Sequence, residues 1–138
     1  MTKKTMKAFL IDPEKETVTE VLTDGKFESV YALIGTDCID HFRWARDGML
    51  WVDDVGLTKG PVHAFKWTGY DYPNPLPGRA VAFGLTEPHG DHCSPNISLE
   101  EFTKHVEFLG LIDPTVTPIQ DGNRLELRID YKKIETAT

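Results

Sequence analysis

Apolar stretches in this chain are short, and most are stopped within a few residues by proline, glycine or an Asp-Gly pair. Lys7-Ala8-Phe9-Leu10-Ile11 ends at Asp12-Pro13, and proline cannot continue a central ladder because it has no N–H to donate. The run reads as a strand buried on both faces. Thr17-Val18-Thr19-Glu20-Val21-Leu22 is rich in β-branched residues and follows a turn-like Pro-Glu-Lys-Glu, so the two segments predict a hairpin.

The same punctuation recurs downstream. Residues 38 to 45 and 49 to 52 read as strands joined by Arg46-Asp47-Gly48, where Asp-Gly suits the positive φ of a tight turn. Val62 to Trp67 and Arg79 to Phe83 are further strand runs. Between them, three prolines in Tyr70-Asp71-Tyr72-Pro73-Asn74-Pro75-Leu76-Pro77-Gly78 predict a stiff, exposed loop. Near the end, Leu125, Leu127, Ile129 and Tyr131 alternate with Arg124, Glu126, Arg128 and Asp130, the pattern of a strand with one face on the core.

Two segments carry a helical period instead. Phe27, Val30, Tyr31 and Ile34 recur at i, i+3, i+4 and i+7 between Asp24-Gly25 and Gly35. Ser98-Leu99-Glu100-Glu101 has the form of a capping box, and Leu99, Phe102, Val106 and Leu109 then mark one apolar face ending at Gly110. Strands outnumber helices and no βαβ alternation is visible. The expected fold is therefore α+β: one mostly antiparallel, curled or barrel-like sheet with two short amphipathic helices. With 138 residues, a single domain over 1–138 is expected.

The residues also carry a family resemblance. It lies in Met6-Lys7-Ala8-Phe9-Leu10-Ile11-Asp12-Pro13 and the Thr-Val-Thr-Glu-Val strand, then Val30-Tyr31-Ala32-Leu33-Ile34-Gly35. It continues in Leu50-Trp51-Val52-Asp53-Asp54-Val55-Gly56-Leu57, Leu76-Pro77-Gly78-Arg79-Ala80-Val81 and Ser98-Leu99-Glu100-Glu101. As an ordered set these motifs resemble the domain-of-unknown-function 3846 family of phage, plasmid and bacterial proteins. The resemblance implies an accessory product of a mobile element, acting inside a bacterial host. It carries no catalytic residues to transfer, and residues 111 to 138 lie outside it.

Charge narrows the function classes. The net charge is −7, and residues 12 to 54 hold eleven acidic side chains against Lys15, Lys26, Arg43 and Arg46. Direct nucleic-acid binding is not expected, because phosphate backbones are repelled by such a face. No run approaches the roughly 20 apolar residues of a membrane span, and two cysteines, Cys38 and Cys93, make no disulfide framework. A cytoplasmic protein with reduced thiols and no membrane association is the expectation.

His89-Gly90-Asp91-His92-Cys93 is the one local cluster of metal-ligand side chains. His63, His105 and Cys38 are scattered over other segments, so no metal or cofactor is expected. A small metal-dependent hydrolase using His89, Asp91, His92 and Cys93 is the alternative reading. Cys93 beside His92 lacks any nucleophile-elbow context, Asp53-Asp54 reads as a turn, and no phosphate-binding glycine loop occurs.

What remains is aromatic and cationic: Phe42-Arg43-Trp44, Trp51, Phe65-Lys66-Trp67, Tyr70, Tyr72 and Arg79. From these, a ligand site of Arg43, Trp44, Trp67, Tyr70, Tyr72 and Arg79 is expected, with rings stacking on a planar group and arginine meeting phosphate. The resulting expectation is a non-catalytic binding module for a small, anionic, nucleotide-like ligand or a host protein. An acidic decoy for a nucleic-acid-binding host protein is a variant of it, and a homodimer covering a strand edge fits either.

Overall fold

The computed structural model describes residues 5–69, 74–86 and 90–134. The elements run β1 (Met6–Asp12), β2 (Thr17–Thr23), α1 (Phe27–Ile34), β3 (Ile39–Ala45), β4 (Gly48–Asp53), a 3-10 turn (Gly56–Thr58) and β5 (Val62–Trp67). They continue with β6 (Leu76–Pro77), β7 (Ala80–Leu85), β8 (His92–Cys93), α2 (Leu99–Thr103), β9 (Val106–Asp121) and β10 (Arg124–Lys133). Among the described residues, the strands pair antiparallel throughout.

The strands form two sheets where one was expected. The first has the order β2-β1-β7-β4-β3, with β8 also on β7, and the second has the order β10-β9-β5-β6. The reason is burial on both faces of the central strands. Phe9 and Ile11 of β1, Ala80 and Ala82 of β7, and Leu50 and Val52 of β4 face one core, with Phe65 and Trp67 of β5 and Phe102 of α2. The alternate residues Ala8, Val81, Phe83 and Trp51 face a second core, with Val30 and Ile34 of α1. A sheet that is apolar on both sides needs a layer on each. The helix α1 supplies one, and the second sheet with α2 supplies the other.

Helix α1 matches the period read from the sequence. Its C-terminus is closed by Gly35 at φ +89°, whose N–H donates to Tyr31 O at 2.7 Å, the left-handed cap that glycine favours. Val30 and Ile34 are buried, but Phe27 stands 55% exposed.

The second helix is much shorter than the apolar spacing predicts. Ser98 Oγ does accept from the Glu101 N–H at 3.1 Å, and Phe102 is buried. The helix stops at Thr103, however, and Val106 and Leu109 lie on β9. The register explains the misreading: Phe65 pairs with Phe108 and Ala64 with Gly110, leaving Leu109 as an extra residue at a bulge. Gly110 takes φ +74° there. One inserted residue changes the alternation of β9, so strand positions acquire a helix-like spacing.

Three further expectations change. The hairpin turn does not use Gly48 for positive φ; a Cβ there would sit 2.2 Å from Trp44 Cε2, so glycine is required by the close indole. Leu76 and Pro77, expected in an exposed loop, are buried and pair with β5, which proline permits on an edge strand. Finally, β10 pairs with β9 in a long ribbon, and Leu125 and Leu127 are 70% and 62% exposed rather than packed on the core. No helix among the described residues is long and apolar enough to cross a membrane.

Candidate ligand pocket

Of the predicted ligand residues, Arg43, Trp44, Trp67 and Arg79 are described, and the two tryptophans lie in the core while the two arginines are exposed. Trp44 and Trp67 are interior residues whose indole N–H groups donate to Phe83 O at 2.8 Å and Trp44 O at 2.9 Å. Their rings meet at 5.8 Å and both pack on Phe102. Strand alternation explains the outcome, since Trp44 faces the core and its neighbour Arg43 is exposed. The Arg43 guanidinium donates to the Arg46 carbonyl across the turn.

Arg79 is exposed beside the end of α1. Its Nη2 lies 2.7 Å from where a Cβ on Gly35 would be, at the C-terminus of α1, where a cation meets the helix dipole favourably. It lines a cavity of about 160 Å³ with Asp12, Glu14 and His63. Tyr70 and Tyr72 lie outside the described residues, as does His89.

A larger pocket of about 630 Å³ opens where α1 meets the ends of β1, β4 and β8. Its apolar wall comes from Met6, Phe27, Met49, Trp51, Leu85 and His92, and its charges from Asp24, Lys26, Glu28 and Asp91. Local turn chemistry builds one side. The Asp24 carboxylate accepts from the Lys26 N–H at 3.0 Å and the Ser29 hydroxyl at 2.6 Å, an Asx-type start to the helix. Gly25 takes φ +75° under Met6, whose Cε would lie 2.7 Å from an added Cβ.

His92 organises the other side. Its Nε2 accepts from the Trp51 indole N–H at 2.9 Å, and its Nδ1 lies 2.9 Å from the Gly25 carbonyl. The two contacts together specify the neutral tautomer with the proton on Nδ1. The imidazole stacks on Phe83 at 4.3 Å and 11°, while Phe27 meets Trp51 edge-on at 5.3 Å. His41 adds a ring 4.9 Å from Trp51.

This geometry bears on the metal cluster read from the sequence. Both ring nitrogens of His92 are engaged by protein groups, and His92 and Cys93 form the short strand β8. His63 is on β5, His105 packs on Trp67 at 5.3 Å, and Cys38 is exposed before β3. Among the described residues, no three metal-ligating side chains come together. Asp53 accepts the Val55 N–H at 3.0 Å in a turn. Cys38 is exposed, and the adjacent Asp37 carboxylate pushes its thiol above the usual range, chiefly by charge repulsion of the thiolate.

Sequence reasoning missed Phe27, Met6, Met49 and His92 as one constellation. Trp51 and His92 are 41 positions apart, and no local pattern announces their bond.

No family model matches the chain, and no solved structure matches it. It is 30% identical over 120 residues to the uncharacterized protein y4iR of Sinorhizobium fredii (strain NBRC 101917 / NGR234). That similarity covers 83% of this chain and 71% of y4iR. The chain belongs to the same protein family as y4iR.

Proposed function

We propose that the protein is a non-catalytic binding module whose ligand site is the pocket walled by Phe27, Trp51 and His92. The observation carrying this reading is the engagement of both His92 nitrogens, by Trp51 and by Gly25. The pocket then offers ring faces and methionine sulfur as its recognition surface, with the His92 imidazole held by protein groups rather than free to act as a base. Its volume suits a small molecule. Among the described residues, the carboxylates of Glu28 and Asp91, with that of Asp24 behind its own turn bonds, line it beside the Lys26 ammonium. That balance favours a planar ligand with positive charge over a nucleotide-like anion. The resemblance to the domain-of-unknown-function 3846 family supports a role inside a bacterial host, as a mobile-element accessory protein.

A thermal-shift screen of aromatic amines and amidines beside mono-, di- and cyclic nucleotides tests the reading. A ligand at 100 times its Kd stabilises the fold by about 2.7 kcal/mol. Aromatic cations should raise Tm in the wild type and lose that effect in Phe27→Ala, whose ring is largely exposed in the free protein. If no aromatic cation shifts Tm, or a hit is indifferent to Phe27→Ala, the site is wrong and a protein partner becomes the better reading.

A further inference from the structure

The ribbon of β9 and β10 has two outer edges of different chemistry. Beyond Ile112, where pairing with β5 ends, β9 carries Pro114 and Pro118, opposite Tyr131 and Leu127 of β10. Proline fits such a ladder only where its missing N–H would point away from the partner. The outer edge of β9 therefore lacks donors at both positions and is closed to another strand. The same alternation turns the N–H and C=O groups of Leu127 and Tyr131, and of Leu125 and Ile129 in phase with them, outward from β10. That edge carries no proline, and β10 ends its sheet. A long edge left open in this way is a template for pairing.

The side chains of β10 say with what. Antiparallel pairing of two identical strands places a two-fold axis normal to the sheet, so each face stays continuous across the junction. With the axis at Leu127, Arg124 stands opposite Asp130 of the second copy and Glu126 opposite Arg128 of the second copy. On the other face, Leu125 meets Ile129 of the second copy, and Leu127 meets its own equivalent. Every charged residue from 124 to 130 then faces the opposite charge, an arrangement that favours association. An axis at Glu126 or Arg128 sets like charges opposite each other. An axis at Ile129 pairs the charges but places Lys133 against Leu125. In the single chain these side chains make solvent-exposed pairs, Arg124 to Glu126 at 3.7 Å and Arg128 to Asp130 at 3.1 Å, so they can be shared with a neighbour at little loss.

We propose that β10 pairs antiparallel with β10 of a second copy about a two-fold axis at Leu127, joining two ribbons into one four-stranded sheet. The self-complementary order Arg124, Glu126, Arg128, Asp130 selects this partner and this register.

Native mass spectrometry and sedimentation velocity of the full chain test the proposal. The wild type should run at twice the 15.6 kDa chain mass at micromolar concentration. Glu126→Arg puts arginine opposite Arg128, and Arg128→Glu puts glutamate opposite Glu126, so each variant alone should be monomeric. Mixed in equal amounts they should form the heterodimer, because both cross-strand pairs are then opposite in sign. In the Ile129 register the mixture would keep a repulsive pair at Lys132. Near-UV circular dichroism should be unchanged in both, since the substituted side chains are exposed. A monomeric wild type, a dimer that survives both single substitutions, or variants that stay apart on mixing would each overturn the proposal.

Discussion

Replacing Phe102 by alanine tests the core between the two sheets most directly. Phe102 is fully buried, with ring centroids 4.8 Å from Phe9, 5.3 Å from Trp44 and 4.7 Å from Trp67. Burial of its ring contributes about 2–3 kcal/mol of transfer free energy. A residual void of roughly 80–100 Å³ adds about 2 kcal/mol at ~24 cal/mol per Å³. Collapse into that void is restricted, because the indoles of Trp44 and Trp67 are each tied by a hydrogen bond to a carbonyl. The expected loss is therefore about 4–5 kcal/mol, the upper part of the range for aromatic truncation. Urea unfolding followed by tryptophan fluorescence reads it, and an unchanged m-value shows that the unfolding reaction is the same. Ser98→Ala, which removes only the helix cap, should lose about 1 kcal/mol in the same assay. A Phe102→Ala loss no larger than that of Ser98→Ala would refute the docking of α2 between the sheets.

Two other perturbations address the pocket and the exposed thiol. His92→Phe leaves the Trp51 indole N–H and the Gly25 carbonyl without partners, which at about 1–3 kcal/mol per orphaned group should destabilise the fold by about 2–4 kcal/mol, the lower half of the sum because both bonds are only part-buried. Adding Trp51→Phe should recover part of that loss, and strictly additive losses would show that the bond does not form. Asp37→Asn should bring the Cys38 thiol down toward its ordinary value, raising the thiolate fraction at mildly alkaline pH. Alkylation of Cys38, followed by peptide mass spectrometry, should then be faster than in the wild type, and an equal or slower rate would contradict the assigned cause.

Strand identity was legible wherever the pattern was local. Lys7 to Ile11 stopped by Asp12-Pro13, the turn at Arg46-Asp47-Gly48 and the run from Val62 to Trp67 all mark strands of the structure. The layering was harder to read. Pro75 and Pro77 announced a loop, yet the short segment Leu76–Pro77 found an edge position that proline tolerates. The bulge at Leu109 imitated a helical period, because a single extra residue and a three-to-four spacing look alike over two turns. Composition pointed to Trp44 and Trp67 as ligand-facing, whereas size and apolarity placed them in the core, as for most tryptophans. The pocket was not legible at all. Its defining bonds join β4, β8 and the turn before α1, and only the folded sheet brings Trp51, His92 and Gly25 together.

The central strands bear on how this chain can vary over time. Along β7, Ala80 and Ala82 meet the bulky rings contributed by the second sheet, while Val81 and Phe83 fill the space beneath α1. Gaining or losing one residue within that strand would exchange the two sets, driving Phe83 toward Trp44 and leaving alanine under the helix. Neither side has room for the exchange. Length differences among relatives should therefore gather at the hairpin turns. Substitutions in β1, β4 and β7 should track residue volume separately at odd and even positions, as two interleaved records of the two layers they join.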